Sequence, residues 1–179
     1  MAENSKPFST GDWVSHLYHG VGQVEGIEEK TLGGESLEYY KVKTRNGVYW
    51  IPTDNVESDR IRPVASDKKL KKAISILKSP PEEMDSKHTT RKSRIAQVTK
   101  EGDLAGFCAL LRDLQAKRVS DKLNTTEQRA HRRLKKKIAS EWSATREIPL
   151  QEANKKLNNI LRKIEAPEEK KQGKKAKAK

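Results

Sequence analysis

The period of the apolar pattern changes once along the chain, near residue 66, and this change constrains the fold more than any other feature. Before it, apolar and polar residues alternate over short runs. Val14, His16 and Tyr18 alternate with Trp13, Ser15 and Leu17; Gln23 to Ile27, Glu38 to Thr44 and Val48 to Ile51 follow. A repeat of two puts successive side chains on opposite faces of a strand. Gly33-Gly34 and Asn46-Gly47 suit tight hairpins, and Pro52 ends the last run by removing a ladder donor. Four or five short strands at this spacing predict a small, strongly bent barrel. Its aromatic residues Trp13, Tyr18, Tyr39, Tyr40, Tyr49 and Trp50 must divide between core and surface, because neighbours on a strand face opposite ways.

After residue 66 the repeat becomes helical. Leu70, Ala73, Ile74 and Leu77 share one face of a helix that Ser66-Asp67 can cap and Ser79-Pro80-Pro81 stops. A polar loop over 82–90 precedes a second helix, from about Thr90 to Lys100, with Ile95 and Val98 inward. Asp103 can cap a third, whose stripe is Leu104, Phe107, Cys108, Leu111 and Leu114. Asn124-Thr125-Thr126-Glu127 has the form of a capping box and opens a fourth, with Ala130, Leu134, Ile138 and Trp142 at intervals of four. Pro149 suits the first turn of a last helix carrying Leu150, Ala153, Leu157, Ile160, Leu161 and Ile164. The chain therefore reads as α+β. A barrel over 1–66 is followed by an all-α bundle of about five helices over 67–164 and a Lys-rich tail over 165–179. The tail has six lysines and no aromatic residue, and is expected to be disordered.

Charge follows the same division. Residues 1–66 hold 7 Lys and Arg against 10 Asp and Glu; residues 67–179 hold 31 against 15. The whole +13 of the 179-residue chain thus resides in the helical part. Such asymmetry points to a polyanionic partner for that part alone, nucleic acid before a merely well-solvated surface. The densest run lies on the fourth helix, where Arg129, Arg132, Arg133, Lys135, Lys136 and Lys137 have few acidic partners at i±4. The first part, slightly acidic, is a poor candidate for reading DNA. An exposed aromatic beside an edge strand suits protein docking there.

Several classes are disfavoured. The longest apolar run is far too short to cross a membrane, and Met1 to Phe8 lacks the apolar core of a signal peptide, so the chain reads as soluble and intracellular. Cys108 is the lone cysteine and lies in an apolar stripe, which suits a buried thiol. His16, His19, His88 and His131 have neither the spacing nor the cysteine partners of a structural metal site. Phosphate-loop, dinucleotide and nucleophile-elbow motifs are absent, and no carboxylate pair suggests acid–base work. A binding protein without cofactor or metal is expected, ahead of an enzyme.

Phe8-x-x-Gly11-Asp12-x-Val14, followed by His19-Gly20-Val21-Gly22-x-Val24-x-x-Ile27-Glu28, resembles the start of the CarD/CdnL transcription regulators and the related module of transcription-repair coupling factor. The match continues through Gly34, Tyr39-Tyr40, Ile51-Pro52 and Asn55. It extends to Gly102-Asp103, Leu111-Arg112-Asp113-Leu114 and Leu123-Asn124-x-x-Glu127, and covers roughly residues 8–162. The resemblance implies a Tudor-like or SH3-like barrel that docks on the β subunit of bacterial RNA polymerase. It also implies a helical domain that contacts promoter DNA at the upstream edge of the transcription bubble and modulates the open complex. The polymerase contacts it implies are Lys30, Tyr40, Val48, Trp50 and Ile51. The implied DNA contacts are His88 and Arg91, with Lys92 and Arg94 serving by proximity, joined by Arg129, Arg132, Arg133 and Lys136 from the cationic run. By spacing back from Gly102-Asp103, His88 stands where the family carries a DNA-wedging Trp. Trp50 stands where a basic polymerase contact is expected, while Lys30 keeps the other. The expected protein is a monomer in the cytoplasm, associated with the nucleoid. Alternatives are a KOW-type barrel protein for ribosomes or RNA, and a non-specific basic nucleoid protein.

Overall fold

The computed structural model describes residues 6–54, 56 and 61–165. The expected basic tail lies outside these from residue 166 onward, as does Asn55. The chain divides into two compact units, residues 1–64 and 65–179.

The first unit is a five-stranded antiparallel sheet: β1 (Trp13–His16), β2 (Gly20–Leu32), β3 (Glu35–Thr44), β4 (Gly47–Pro52) and β5 (Ile61–Pro63), in the order β4-β3-β2-β1-β5. At the β2–β3 turn Gly33 and Gly34 have φ of 65° and 92°, the paired positive values of a type I′ hairpin. The β2–β3 register shifts between Val24 and Gly26, leaving Glu25 as the extra residue of a bulge that bends the sheet. Inward residues from every strand meet in one core. Val14, Val24, Tyr40, Val42, Tyr49 and Ile51 are joined by Ile61 from β5, with Phe8 and Val56 added from outside the strands. Edge strands β4 and β5 thus share a core, as expected of a sheet curled over its own face. Backbone approach is closest at Gly22, where a Cβ would lie 2.7 Å from Val42 Cγ1 and 2.8 Å from the Lys43 carbonyl oxygen.

The second unit contains α1 (Asp67–Lys78), α2 (His88–Glu101), α3 (Leu104–Ser120), α4 (Thr125–Arg146) and α5 (Leu150–Leu161). Caps form where the sequence places them. Ser66 accepts from the Lys69 N–H, Asp103 from the Gly106 N–H, and Asn124 and Glu127 close a reciprocal capping box. Pro149 sits at the N-cap of α5, one position before the expected first turn. Helix α2 starts two residues earlier than its apolar pattern suggests, at His88. Helix α3 is central: Leu104, Phe107, Cys108, Leu110, Leu111, Arg112, Asp113, Leu114 and Ala116 are all buried, covering its whole circumference. Around it gather Leu70, Ala73 and Leu77 of α1, Leu134, Ile138 and Trp142 of α4, and Ala153, Leu157 and Leu161 of α5. Helix α2 is the exception. It has no buried residue, and only Ile95 and Val98 pack partly against the core. No described helix is long and apolar enough to cross a membrane.

Candidate functional site

Two surfaces, one in each unit, carry the residues singled out by sequence. In the sheet unit, strand pairing decides which side chains face out. Opposed pairs share a face, so Lys41 and Trp50 lie together, as do Lys43 and Val48, Glu28 and Tyr39, and Lys30 and Leu37. Trp50 is 41% exposed on this outer face, on the edge strand β4. The Lys30 Nζ lies 3.2 Å from its ring centroid, a close cation–π contact. Its indole Nε1–H donates to Glu28 Oε2 at 2.8 Å, and Lys41 Nζ reaches Glu28 Oε1 at 2.9 Å. The Lys41 ammonium, followed by the Trp50 indole, holds the Glu28 carboxyl below its ordinary range. Glu25, displaced by the bulge, extends the chain of charges to Lys41 and Lys43 at 3.8 and 3.5 Å. The result is a large aromatic side chain gripped on one face and at its edge, with the rest of its surface open. Such a group loses little freedom on docking.

Lys30, Val48 and Trp50 therefore share the outer face. Tyr40 and Ile51 do not, and their assignment as docking side chains is corrected. They oppose each other on the inner face and are fully buried. The Tyr40 hydroxyl accepts from the Phe8 N–H at 3.3 Å, and its ring meets Phe8 edge-on at 5.6 Å. Tyr39, half-buried opposite Glu28, is the outward member of that tyrosine pair.

In the helical unit, Arg129, Arg132, Arg133 and Lys136 are exposed at positions that form one stripe of α4, opposite buried Ala130, Leu134 and Ile138. Among the described residues no carboxylate pairs with any of the four. Lys137 differs, turning back over the Phe107 ring at 5.7 Å. His88 and Lys92 are exposed in the first two turns of α2. The N-cap residue there is Lys87, which makes no side-chain cap, and the first turn has no acidic residue.

Arg91 and Arg94 are a different case from the free cations expected. Arg91 Nε donates to Glu127 Oε1 at 2.5 Å, and its Nη1 donates to the Asp85 and Ser86 carbonyls at 2.8 and 2.6 Å. Arg94 Nη2 donates to Asp113 Oδ2 at 2.5 Å, and its Nη1 contacts Met84 Sδ at 3.2 Å. Both carboxylates are buried, Asp113 completely and Glu127 with 1% exposure. Burial pushes the Glu127 carboxyl up, but the hydrogen bonds from Arg91 and the Asn124 N–H, with the Lys117 ammonium, outweigh it and leave it below the ordinary range. A helical spacing carries the signal for this: Arg91, Arg94, Ile95 and Val98 stand at i, i+3, i+4 and i+7, so both arginines share the inward face. A third buried acid, Glu141, accepts from the Ala65 N–H at 2.8 Å and anchors the entry to α1. No group of three or more potential metal-binding side chains is assembled among the described residues.

Comparison with known proteins accords with these two units. Residues 8–65 match the CarD-like/TRCF RID domain, and residues 72–158 match the CarD C-terminal domain. Over 124 residues the chain is 28% identical to a Bacillus subtilis (strain 168) protein named "Putative transcription factor YdeB", covering 68% of this chain and 81% of that one. With both domains matched in order along most of its length, the chain belongs to the CarD/CdnL family of RNA polymerase-interacting transcription regulators.

Proposed function

We propose that the sheet unit docks on the β subunit of RNA polymerase through the outer face of β2–β4, centred on Trp50 and flanked by Lys30 and Val48. The helical unit then contacts promoter DNA at the upstream edge of the bubble and shifts the balance between closed and open complexes. No catalytic step is involved, and the protein acts as a monomer at the nucleoid. The observation that carries the proposal is the held state of Trp50, exposed yet fixed by Lys30 and Glu28. Buried aromatic anchors dominate the energy of many interfaces. On the DNA side, the stripe of Arg129, Arg132, Arg133 and Lys136 supports phosphate contact, as does the uncapped start of α2 beside His88 and Lys92. Tethering to polymerase raises the local concentration of the helical unit at DNA, so weak contacts suffice.

The test is capture of purified polymerase β lobe by the wild-type chain, Trp50→Ala, Lys30→Glu and Val48→Ala. Trp50→Ala is expected to weaken capture about tenfold or more, within the range of an interface anchor. Lys30→Glu, which places an acid against the ring, should weaken it as well. Equal capture by all four proteins rejects the docking face. Preferential binding of ribosomal RNA over a polymerase–promoter complex would favour the ribosomal reading instead.

A further inference from the structure

We infer that Arg91 and Arg94 are positioning residues rather than phosphate ligands: clamped on buried Glu127 and Asp113, they fix the 79–87 loop and the first turn of α2 so that His88 and Lys92 are presented to DNA. This rests on the DNA-contact reading above and adds the device that aims it. Residues 79–87 contain no regular secondary structure, and α2 buries no side chain fully. What holds this segment is a series of polar anchors at successive points, together with Met84 set in the apolar core. Ser79 Oγ accepts from Arg112 at 2.7 Å. The Glu82 N–H donates to Asp113 Oδ1 at 2.9 Å. Met84 is buried against Arg94, and the Asp85 and Ser86 carbonyls accept from Arg91. Lys87 and His88 follow directly; the Lys87 N–H donates to Asp85 Oδ1 at 2.6 Å, a local turn that builds on the carbonyls Arg91 holds.

The Arg91 clamp is also too deeply placed to serve as a ligand. The Arg91 side chain is 12% exposed, and its Glu127 partner is held further by the Asn124 N–H at 3.0 Å and Lys117 at 3.6 Å. Turning Arg91 outward to a phosphate would take from a buried carboxylate its shortest charged partner, leaving Lys117 at 3.6 Å, and would free two loop carbonyls, a loss greater than one solvated phosphate contact returns. Arg94 is less enclosed, 32% exposed, and Asp113 would keep Arg112 and the Glu82 N–H if it left; what holds Arg94 is its short bond to Asp113 and its contact with Met84. The exposed cations of α4 carry no such penalty.

The experiment titrates a fluorescent duplex containing a short melted segment with the full chain across a salt series. It compares wild type with Glu127→Gln, Arg91→Lys, Arg91→Gln, His88→Ala and Arg133→Gln. A lost phosphate contact lowers the slope of log affinity against log salt by about 0.9, which is the result expected for Arg133→Gln. Glu127→Gln gives opposite signs under the two hypotheses. If Arg91 is a ligand, removing its internal competitor tightens binding and steepens the slope. If Arg91 positions the α2 start, Glu127→Gln weakens binding about tenfold and lowers the slope by no more than the single Lys92 contact, about 0.9, and adding Arg91→Gln costs little more. Arg91→Lys keeps the charge without the guanidinium fork. It should weaken binding for a positioning residue and preserve it for a ligand, so the test stands even if Glu127→Gln fails to fold. Tighter binding by Glu127→Gln, or full binding by Arg91→Lys, overturns the positioning role while leaving DNA contact intact. Unchanged binding by both His88→Ala and Arg133→Gln would sink the DNA reading itself, and the positioning role with it.

Discussion

Replacing Asp113 with Ala tests how far buried charge, rather than apolar packing, holds the helical unit together. The Asp113 carboxylate is completely enclosed. It accepts from Arg112 Nε at 2.7 Å, the Glu82 N–H at 2.9 Å and Arg94 Nη2 at 2.5 Å. Removing one member of a buried ion pair costs about 3–5 kcal/mol, because the partner is left charged and dry. Two features place this case near the lower bound. The Arg94 side chain, 32% exposed, can turn to water, and Arg112 keeps its bond to Ser79. With a loss of about 3 kcal/mol and a urea m-value of about 1.5 kcal/mol/M for a unit this size, the midpoint should fall by about 2 M. Trp142 reports the helical unit once Trp13 and Trp50, both in the sheet, are replaced by Phe. Urea titrations followed by its fluorescence would compare Asp113→Ala with Asp113→Ala/Arg112→Met, which removes the stranded cation and should recover part of the loss. A midpoint change below about 0.5 M, or a double variant less stable than the single one, refutes the reasoning.

Two further predictions concern acid stability and backbone packing. Burial, helped by Arg118 and Lys135, pulls the His131 imidazole down to about 4, while its ring nitrogen bonds Gln115 at 2.8 Å. The folded state therefore keeps the ring neutral. Its contribution is complete above the unfolded value near 6.5 and is lost as pH falls from there towards 4. Urea midpoints measured from pH 7.5 to 4.5 should decline in wild type and flatten over that window in His131→Gln; parallel profiles would disprove the assignment. Gly22→Ala must push a Cβ against Val42 and the Lys43 carbonyl, and should destabilise the sheet unit by about 1–3 kcal/mol. Its thermal melt, read from Trp13 and Trp50 in a Trp142→Phe background, should shift down; an unchanged melt would refute the clash.

Much of this architecture is legible in the residues because local rules agree with one another. The switch of apolar period near Ser66, the Asn124–Glu127 capping box and the paired glycines at 33–34 each specify their element without tertiary context. The face of a strand is harder to assign. Tyr39-Tyr40 gives no parity by itself, and the Glu25 bulge changes register upstream, so the inward direction of Tyr40 emerges only from pairing with Ile51. Alternation alone does forbid Trp50 and Ile51 from sharing a face. The ion pairs of α2 are partly legible too, since Arg91 and Arg94 fall on the stripe of Ile95 and Val98. What no local pattern reveals is the partner: Glu127 lies 36 residues beyond Arg91 and reads as a cap residue, although its carboxylate serves the cap and the clamp together.

Helix α3 meets α1, α2 and α4 along its length and is hydrogen-bonded to α5 through Gln115 and the Leu161 carbonyl. The middle of a rod sheathed in this way has no side left over for recognition, and the exposed Arg118 and Val119 lie in its last turn. Substitutions that retune what the helical unit grips must therefore accumulate on the surrounding helices, while the axle beneath them stays nearly fixed. Amide protons from Leu110 to Leu114 should accordingly exchange with solvent only when the whole unit opens, and binding preference can drift without loosening the shaft that carries it.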